Sequence, residues 1–172
     1  MRNAILPLVF LAALPTGALA NKAPASLTVK SSAFANNAAI PAEYTCDGSE
    51  TSPPLSWSNV PAGTKSVAIL VDDPDAPMGT FTHWLVTGIP PSTTSVDKGA
   101  AIPAGAMAQK NDKGKDGYAG PCPPSGRHRY RFHVYALDIA KPKSMTRSAF
   151  LAEINGHTLA AGELVGTYQR QR

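Results

Sequence analysis

Two short stretches of the chain concentrate the residue types that could do chemistry. Residues 72–77 read Asp-Asp-Pro-Asp-Ala-Pro and are followed by His83 and Trp84, and residues 120–130 contain His128 and Tyr130. Prolines restrict the backbone of both stretches, so their acidic, imidazole and hydroxyl groups would be held in set directions. Polar groups on rigid turns at strand ends can form a small-ligand site, and we expect the two stretches to form two walls of one pocket.

Binding of an anion is the chemistry that these groups fit best. His128 could donate a hydrogen bond and carry charge near neutral pH, Tyr130 adds a hydroxyl, and Asp73 could orient a histidine. Gly120 and Gly126 could expose backbone N–H groups, which suits a phosphate or carboxylate head. The apolar rim of such a pocket would come from Trp84, Pro77 and Pro121.

Metal binding is a competing interpretation of the same histidines. His83 and His128, with Asp73 or Asp75, could hold a metal ion in an open three-ligand site. The chain has no His-x-His or His-x-x-x-His spacing that would support it. The histidines could also be ordinary core residues. We predict no metal and no cofactor.

Hydrolysis is the other chemical alternative. Ser125 and Cys122 lie near His128 in the sequence and could act as nucleophiles activated by a histidine. The Gly-x-Ser-x-Gly turn of many hydrolases is absent from the chain. We therefore predict a non-enzymatic binding protein, with a weak hydrolase as the less favoured alternative.

Short apolar runs separated by Pro, Gly and Asn predict a mainly β fold, an antiparallel β-sandwich with a few short peripheral helices. Residues 67–71 form a continuous apolar run, typical of a strand buried on both faces, and residues 83–89 form another. Residues 128–137 alternate, which places His128 and Tyr130 on the core-facing side, at the start of the strand. The long polar stretch at 100–126 predicts a functional loop.

Helix signals appear only towards the C-terminus. Ser144 or Thr146 could cap a helix that continues to about Ile154. Asn-Gly at 155–156 interrupts the pattern, after which residues 157–164 predict a second helix and residues 166–169 a short final strand. We see no internal repeat, so residues 21–172 are predicted to form one domain.

Residues 1–20 have the features of a cleavable signal peptide. Arg2 supplies a positive start, residues 5–14 are apolar, and Ala-Leu-Ala at 18–20 fits the small-x-small cleavage rule. The apolar run is too short to span a membrane, and no later segment is long enough. The sequence therefore predicts a periplasmic or secreted protein that does not span the membrane.

Charge and cysteine content limit the partners further. The chain has 16 Lys and Arg against 12 Asp and Glu, a formal net charge of +4, and its basic residues are scattered. A nucleic-acid surface would normally show a basic stripe, so we predict no nucleic-acid partner. Export would permit a disulfide between Cys46 and Cys122, with two free thiols as the alternative, because the sequence does not give their Cα separation.

The same stretches resemble the phosphatidylethanolamine-binding protein family, also called the Raf-kinase-inhibitor-like family. The resemblance covers nearly all of residues 21–172, and the blocks that contain cysteine are similar to its bacterial branch. Lys113 departs from that branch, whose members often carry an aromatic residue at this position. The blocks that carry the resemblance are residues 73–77, 83–84 and 120–130, reinforced by residues 44–48, 52–57 and 163–168.

The resemblance implies a β-sandwich-like fold with an anion pocket at one end. It implies a small anionic or phosphorylated ligand, including phospholipid head groups, and a homodimer. Because the family also includes inhibitors of other proteins, a module that inhibits a protease or another partner is the alternative function. The residues implied to line the pocket are Asp73, Asp75, Pro77, His83, Pro121, His128 and Tyr130.

Overall fold

The computed structural model describes residues 24–170, which form two β-sheets, one α-helix and a short 3-10 turn. The larger sheet has the strand order β1-β9-β8-β4-β5-β7 and the smaller one β2-β3-β6. The predicted mainly β fold is therefore confirmed. In chain order the elements are β1 (Ala25–Ser26), β2 (Thr28–Lys30), the 3-10 turn (Ala42–Tyr44), β3 (Leu55–Ser58), β4 (Ser66–Asp73), β5 (Phe81–Ile89), β6 (Ser95–Val96), β7 (Met107–Ala108), β8 (His128–Leu137), α1 (Arg147–Glu153) and β9 (Thr158–Tyr168).

Strand β4 is the centre of the larger sheet, and all eight of its residues are buried. Its side chains alternate between two apolar clusters, which explains the continuous apolar run. Val67 and Ile69 lie in a large cluster that also includes Trp57 of the smaller sheet. Ala68 and Leu70 lie in a second cluster that contains Phe150 of α1. A strand covered on both faces must be apolar throughout, as the sequence predicted.

The ends of three strands meet at one edge of the larger sheet. β4 is antiparallel to both of its neighbours, β5 and β8, so its last residues lie beside the first residues of those strands. Asp73 is paired directly with Phe81. The predicted long loop crosses this edge, since the Ala119 backbone N–H donates to the His83 carbonyl over 2.8 Å. The two stretches singled out in the sequence are thereby brought together.

Strand β8 alternates as its sequence predicted. His128, Tyr130 and Phe132 are buried, whereas Arg129 is exposed and Arg131 half-buried. β8 pairs with β4 on one side and with β9 on the other, which fixes its orientation along its whole length. His128 and Tyr130 therefore face the protein interior from the start of the strand.

The helix predicted for residues 157–164 is wrong, because this segment belongs to β9, which runs from Thr158 to Tyr168. Small and apolar residues in this stretch fit either structure, and pairing with β8 over ten registered positions decides between them. Gly162 is required by this packing: a Cβ atom there would stand 2.4 Å from the Leu27 carbonyl oxygen. The predicted final strand at 166–169 is the last part of β9.

The first predicted helix is confirmed as α1. Thr146 is its N-cap, and the Thr146 hydroxyl accepts a hydrogen bond from the Ala149 backbone N–H over 3.4 Å. The predicted signal peptide at residues 1–20 lies outside the described residues. Within residues 24–170, we find no helix with both the length and the apolar character needed to cross a membrane.

Candidate functional site

A cavity of about 360 Å³ opens at the edge of the larger sheet where β4 ends and β5 and β8 begin. We call it the strand-end cavity. Its walls come from the turn after β4, from the first residues of β5 and β8, and from the long loop that precedes β8. The lining residues are Asp73, Ala76, Pro77, Phe81, His83, Lys113, Gly120, Cys122, Pro123, Pro124, His128 and Tyr130.

Asp73 and His128 form a buried pair at the base of this cavity. The Asp73 Oδ2 atom lies 2.7 Å from His128 Nδ1, and the two side chains are only 5% and 8% exposed. The other Asp73 oxygen, Oδ1, accepts a hydrogen bond of 2.8 Å from the backbone N–H of Asp75. Both carboxylate oxygens are therefore engaged, and His128 donates through Nδ1–H. This leaves Nε2 as the ring atom of His128 that a ligand can reach.

The His83 ring is fixed through Nδ1, the ring nitrogen nearer to its backbone. Its Nδ1 lies 2.7 Å from the carbonyl oxygen of Ala119, which can only accept, so Nδ1 carries the hydrogen. Burial lowers the pKa of His83 below 6.5, and the positive charge of Lys113 lowers it further, against the opposing effects of the Ala119 carbonyl, Asp73 and Asp112. His83 is thus neutral at pH 7, and its Nε2 faces a ligand as an acceptor until it is protonated.

Two aromatic rings fix the position of His83. Phe81 is two residues earlier on β5 and on the same side, with ring centroids 4.8 Å apart. Tyr130 meets His83 edge to face at 5.1 Å. The Tyr130 hydroxyl is buried and makes no hydrogen bond of normal geometry, although the Cys122 backbone lies close to it. Burial raises the pKa of Tyr130, so its hydroxyl stays neutral.

One wall of the cavity carries an ion pair. Lys113 Nζ lies 2.5 Å from Glu50 Oε1, and the same Glu50 oxygen accepts a hydrogen bond of 3.0 Å from the Gly120 backbone N–H. We expected the Gly120 N–H to be free for an anion, and this expectation is wrong because Glu50 already accepts it. Glu50 instead connects the loop that carries Lys113 to the wall at Gly120.

Asp75 and Pro121, which we expected in the lining, lie beside the cavity. Arg129 binds Asp75 through its backbone N–H and through two guanidinium nitrogens, at 2.9, 2.9 and 2.6 Å. These contacts lower the pKa of Asp75 to about 2. Pro121 is buried, and its carbonyl accepts the Cys46 backbone N–H at 3.1 Å. The two residues therefore support the walls.

The disulfide between Cys46 and Cys122 is present, with an Sγ–Sγ distance of 2.07 Å and a Cα–Cα distance of 5.4 Å. The alternative of two free thiols is therefore wrong. Because the Cys122 sulfur is bonded, this residue does not provide the thiol nucleophile considered for a hydrolase. Across residues 24–170, no group of three or more His, Cys, Asp or Glu side chains is arranged to hold a metal ion.

Some lining residues were missed in the sequence. Phe81 could have been found, because it is two positions before His83 and a strand places such residues on one side. Pro123 and Pro124 replace Trp84 in the rim, since Trp84 is buried in the large apolar cluster. Lys113 stood out in the sequence only as a departure from the bacterial branch, and the fold of the long loop brings it to the cavity.

Comparison with protein families gives one match that covers most of the chain. The family model for phosphatidylethanolamine-binding proteins matches residues 30–169. The UPF0098 protein of Archaeoglobus fulgidus is 48% identical over 151 residues, which are 86% of this chain and 52% of that protein. The chain thus spans about half the length of this relative.

Two further proteins are similar over most of their own length. The crystal structure of CT736 from Chlamydia trachomatis, described as a homolog of phosphatidylethanolamine-binding protein, is 38% identical with a TM-score of 0.79, over 85% of this chain and 99% of that one. LppC of Mycobacterium tuberculosis, whose name includes the word lipoprotein, is 42% identical over 86% of this chain and 75% of its own.

Proposed function

Because the chain belongs to the phosphatidylethanolamine-binding protein family, we propose that its strand-end cavity binds small anionic ligands of the phosphate type without transforming them. The observation that carries the proposal is the pair of histidines, each fixed through Nδ1 and each left with Nε2 for a ligand. A carboxylate and a backbone carbonyl orient these rings before any ligand arrives, which lowers the cost of binding.

The polar groups of the cavity are suited to a phosphate oxygen cluster. With both ring nitrogens protonated, His128 would donate Nε2–H to one phosphate oxygen while its Nδ1–H continues to donate to Asp73 Oδ2. The Tyr130 hydroxyl makes no well-formed hydrogen bond in the protein and is a second candidate donor at the buried base of the cavity. Around these groups the lining is apolar, with Pro77, Phe81 and Pro124 among its residues, which strengthens charge-assisted hydrogen bonds.

The proposal of binding without turnover rests on the two candidate nucleophiles near His128, neither of which is placed to react. Cys122 is in a disulfide, and Ser125 is exposed and is not among the cavity-lining residues. Phosphoethanolamine incubated with the protein should therefore be recovered unchanged, as followed by phosphorus NMR.

We also propose that the protein is exported, with residues 1–20 removed and residues 21–172 as its mature domain. The signal-like N-terminal sequence, the disulfide and the lipoprotein name of one relative support export. The homodimer implied by the family resemblance stays a prediction.

Calorimetric titration with inorganic phosphate tests the proposed function. We expect wild-type protein to bind phosphate and His128→Ala to bind at least about tenfold more weakly, because a charge-assisted hydrogen bond is lost. His157→Ala is the matched control, since His157 is half-exposed and pairs with Asp138 away from the cavity. If wild type does not bind, or if both variants bind like wild type, the proposed function is wrong.

A further inference from the structure

Among the cavity-lining residues of the described chain (24–170), Lys113 is the one permanent cation. The other ionisable groups of the lining are two histidines, a tyrosine and Asp73, and Asp73 is engaged with His128. Nothing in the histidine geometry explains why a lysine should lie on this wall. Its position suggests a role in selecting among anions.

The backbone on both sides of Lys113 is fixed to the sheet edge. Asn111 is buried and accepts the Lys113 backbone N–H through Oδ1 at 2.9 Å, while its Nδ2 donates to the Gly117 carbonyl at 3.0 Å. Asp112 exchanges two hydrogen bonds with Thr82 of β5, of 2.7 and 3.0 Å. The root of the Lys113 side chain is therefore held beside β5 before any ligand binds.

The Lys113 ammonium group has N–H donors that Glu50 does not use. Glu50 accepts one of its three hydrogens, and the side chains of Lys113 and Glu50 are 37% and 40% exposed. Ion pairs this exposed contribute little to stability, so a ligand oxygen can share or replace the glutamate at small cost. The positive charge of Lys113 also acts at the base of the cavity, because it lowers the pKa of His83.

We propose that Lys113 is a specificity-determining residue, which makes the strand-end cavity prefer phosphomonoester dianions to phosphodiester monoanions. This inference rests on the proposed function of the same cavity. A monoester carries close to two negative charges near neutral pH, with a second pKa of about 6, whereas a diester carries one. Lys113 places a permanent positive charge on the cavity wall, and such a charge attracts a dianion about twice as strongly as a monoanion at the same distance.

Glu50 reduces the attraction of Lys113 for an anionic ligand. It neutralises the ammonium group in the free protein and must share it when a dianion binds. Glu50→Gln keeps a carbonyl oxygen for the Gly120 N–H and removes only the charge. This variant should therefore bind a monoester more tightly than wild type does.

The test is calorimetric titration with methyl phosphate and dimethyl phosphate at about pH 7.5, where the monoester is a dianion. Lys113→Met should bind methyl phosphate about tenfold more weakly and dimethyl phosphate within about twofold of wild type. Glu50→Gln should bind methyl phosphate about threefold more tightly. Lys115→Met is the matched control, because Lys115 is on the same loop, is exposed and does not line the cavity, and it should bind like wild type.

The outcomes separate this inference from the proposed function. If Lys113→Met keeps the wild-type preference, or weakens both esters equally, Lys113 does not set specificity, while loss of binding in His128→Ala would still support the cavity. If wild type binds neither ester, both proposals fail. Should Lys113→Met unfold, Glu50→Gln decides alone, because unchanged or weaker binding of methyl phosphate by that variant overturns the inference.

Discussion

Replacing both Cys46 and Cys122 with serine is expected to lower the free energy of unfolding by about 4 kcal/mol. The bond joins residues separated by 76 positions, and a cross-link that closes so long a loop removes much of the conformational entropy of the unfolded chain. Urea denaturation of the two proteins measures the difference, and the larger unfolded ensemble of the variant should also increase the dependence of unfolding on urea concentration.

Loss of the disulfide should affect phosphate affinity less than it affects the free energy of unfolding. The two segments also make contact through the backbone, because the Cys46 N–H donates to the Pro121 carbonyl. Phosphate affinity of the folded serine variant is therefore expected within about threefold of wild type. A change in unfolding free energy below about 1 kcal/mol would contradict the stability prediction.

Replacing Asp72 with alanine is expected to cost about 3 kcal/mol of stability. Its side chain is fully buried and binds Arg131 through two nitrogens at 2.8 and 3.2 Å and Arg147 Nε at 2.8 Å. The carboxylate thus connects β4 with β8 and α1. Removing it would leave two partly buried guanidinium groups without their acceptor, a more costly change than replacing the whole network.

The difference in unfolding free energy between wild type and Asp72→Ala should depend on pH. Burial alone would raise the pKa of Asp72, but the hydrogen bonds from Arg131 and Arg147 and the nearby His133, whose Nε2 lies 3.6 Å from Oδ1, outweigh it and lower the pKa well below 3.8. A lowered folded-state pKa means that the stabilisation is present above about pH 4 and is lost as the pH falls further. The stability gap between wild type and Asp72→Ala should therefore narrow in acid.

Asp75→Ala is the control for this prediction. Asp75 is three residues away and also binds an arginine through two guanidinium nitrogens, but the Arg129 side chain is 61% exposed. An exposed pair contributes about 1 kcal/mol or less. Thermal or urea unfolding of both variants tests the contrast, and equal losses would show that burial does not determine the strength of the Asp72 network.

The local pattern of the sequence predicted the core of the site. Alternation along β8 placed His128 and Tyr130 on the inner side, and the apolar run of β4 placed Asp73 at a strand end. These predictions held because a strand buried on one or both faces imposes a short, regular pattern on its residues.

Contacts between segments that are distant in the chain could not be predicted from the sequence. The pairing of Arg129 with Asp75 and of Lys113 with Glu50 joins residues 54 and 63 positions apart. Residues 157–164 were predicted as helix because their composition fits both structures, and only pairing with β8 distinguishes them. The disulfide stayed open for the same reason, since it depends on a Cα distance that only the fold determines.

A selective role of Lys113 would distinguish the ligands of this chain from the lipid for which the family is named. The name of the family refers to a phosphodiester lipid, whose phosphate carries one negative charge. Under the proposed role of Lys113, the cavity would be better matched to a terminal phosphate. Ligands of this chain are therefore expected among small phosphomonoesters, which differ in charge from the lipid in the name of the family.

A nitrogen NMR titration of the histidine rings with phosphate tests most directly whether the strand-end cavity binds an anion through its two histidines. We would carry it out at about pH 6, where protonation of imidazole rings is accessible. The chain has four histidines, of which His83 and His128 line the cavity, while His133 and His157 pair with acids elsewhere. We predict that the Nε2 signals of His83 and His128 shift together with one dissociation constant, and that the other two histidines do not respond. No response at either cavity histidine, or an equal response at His133 and His157, would contradict the assignment of the site.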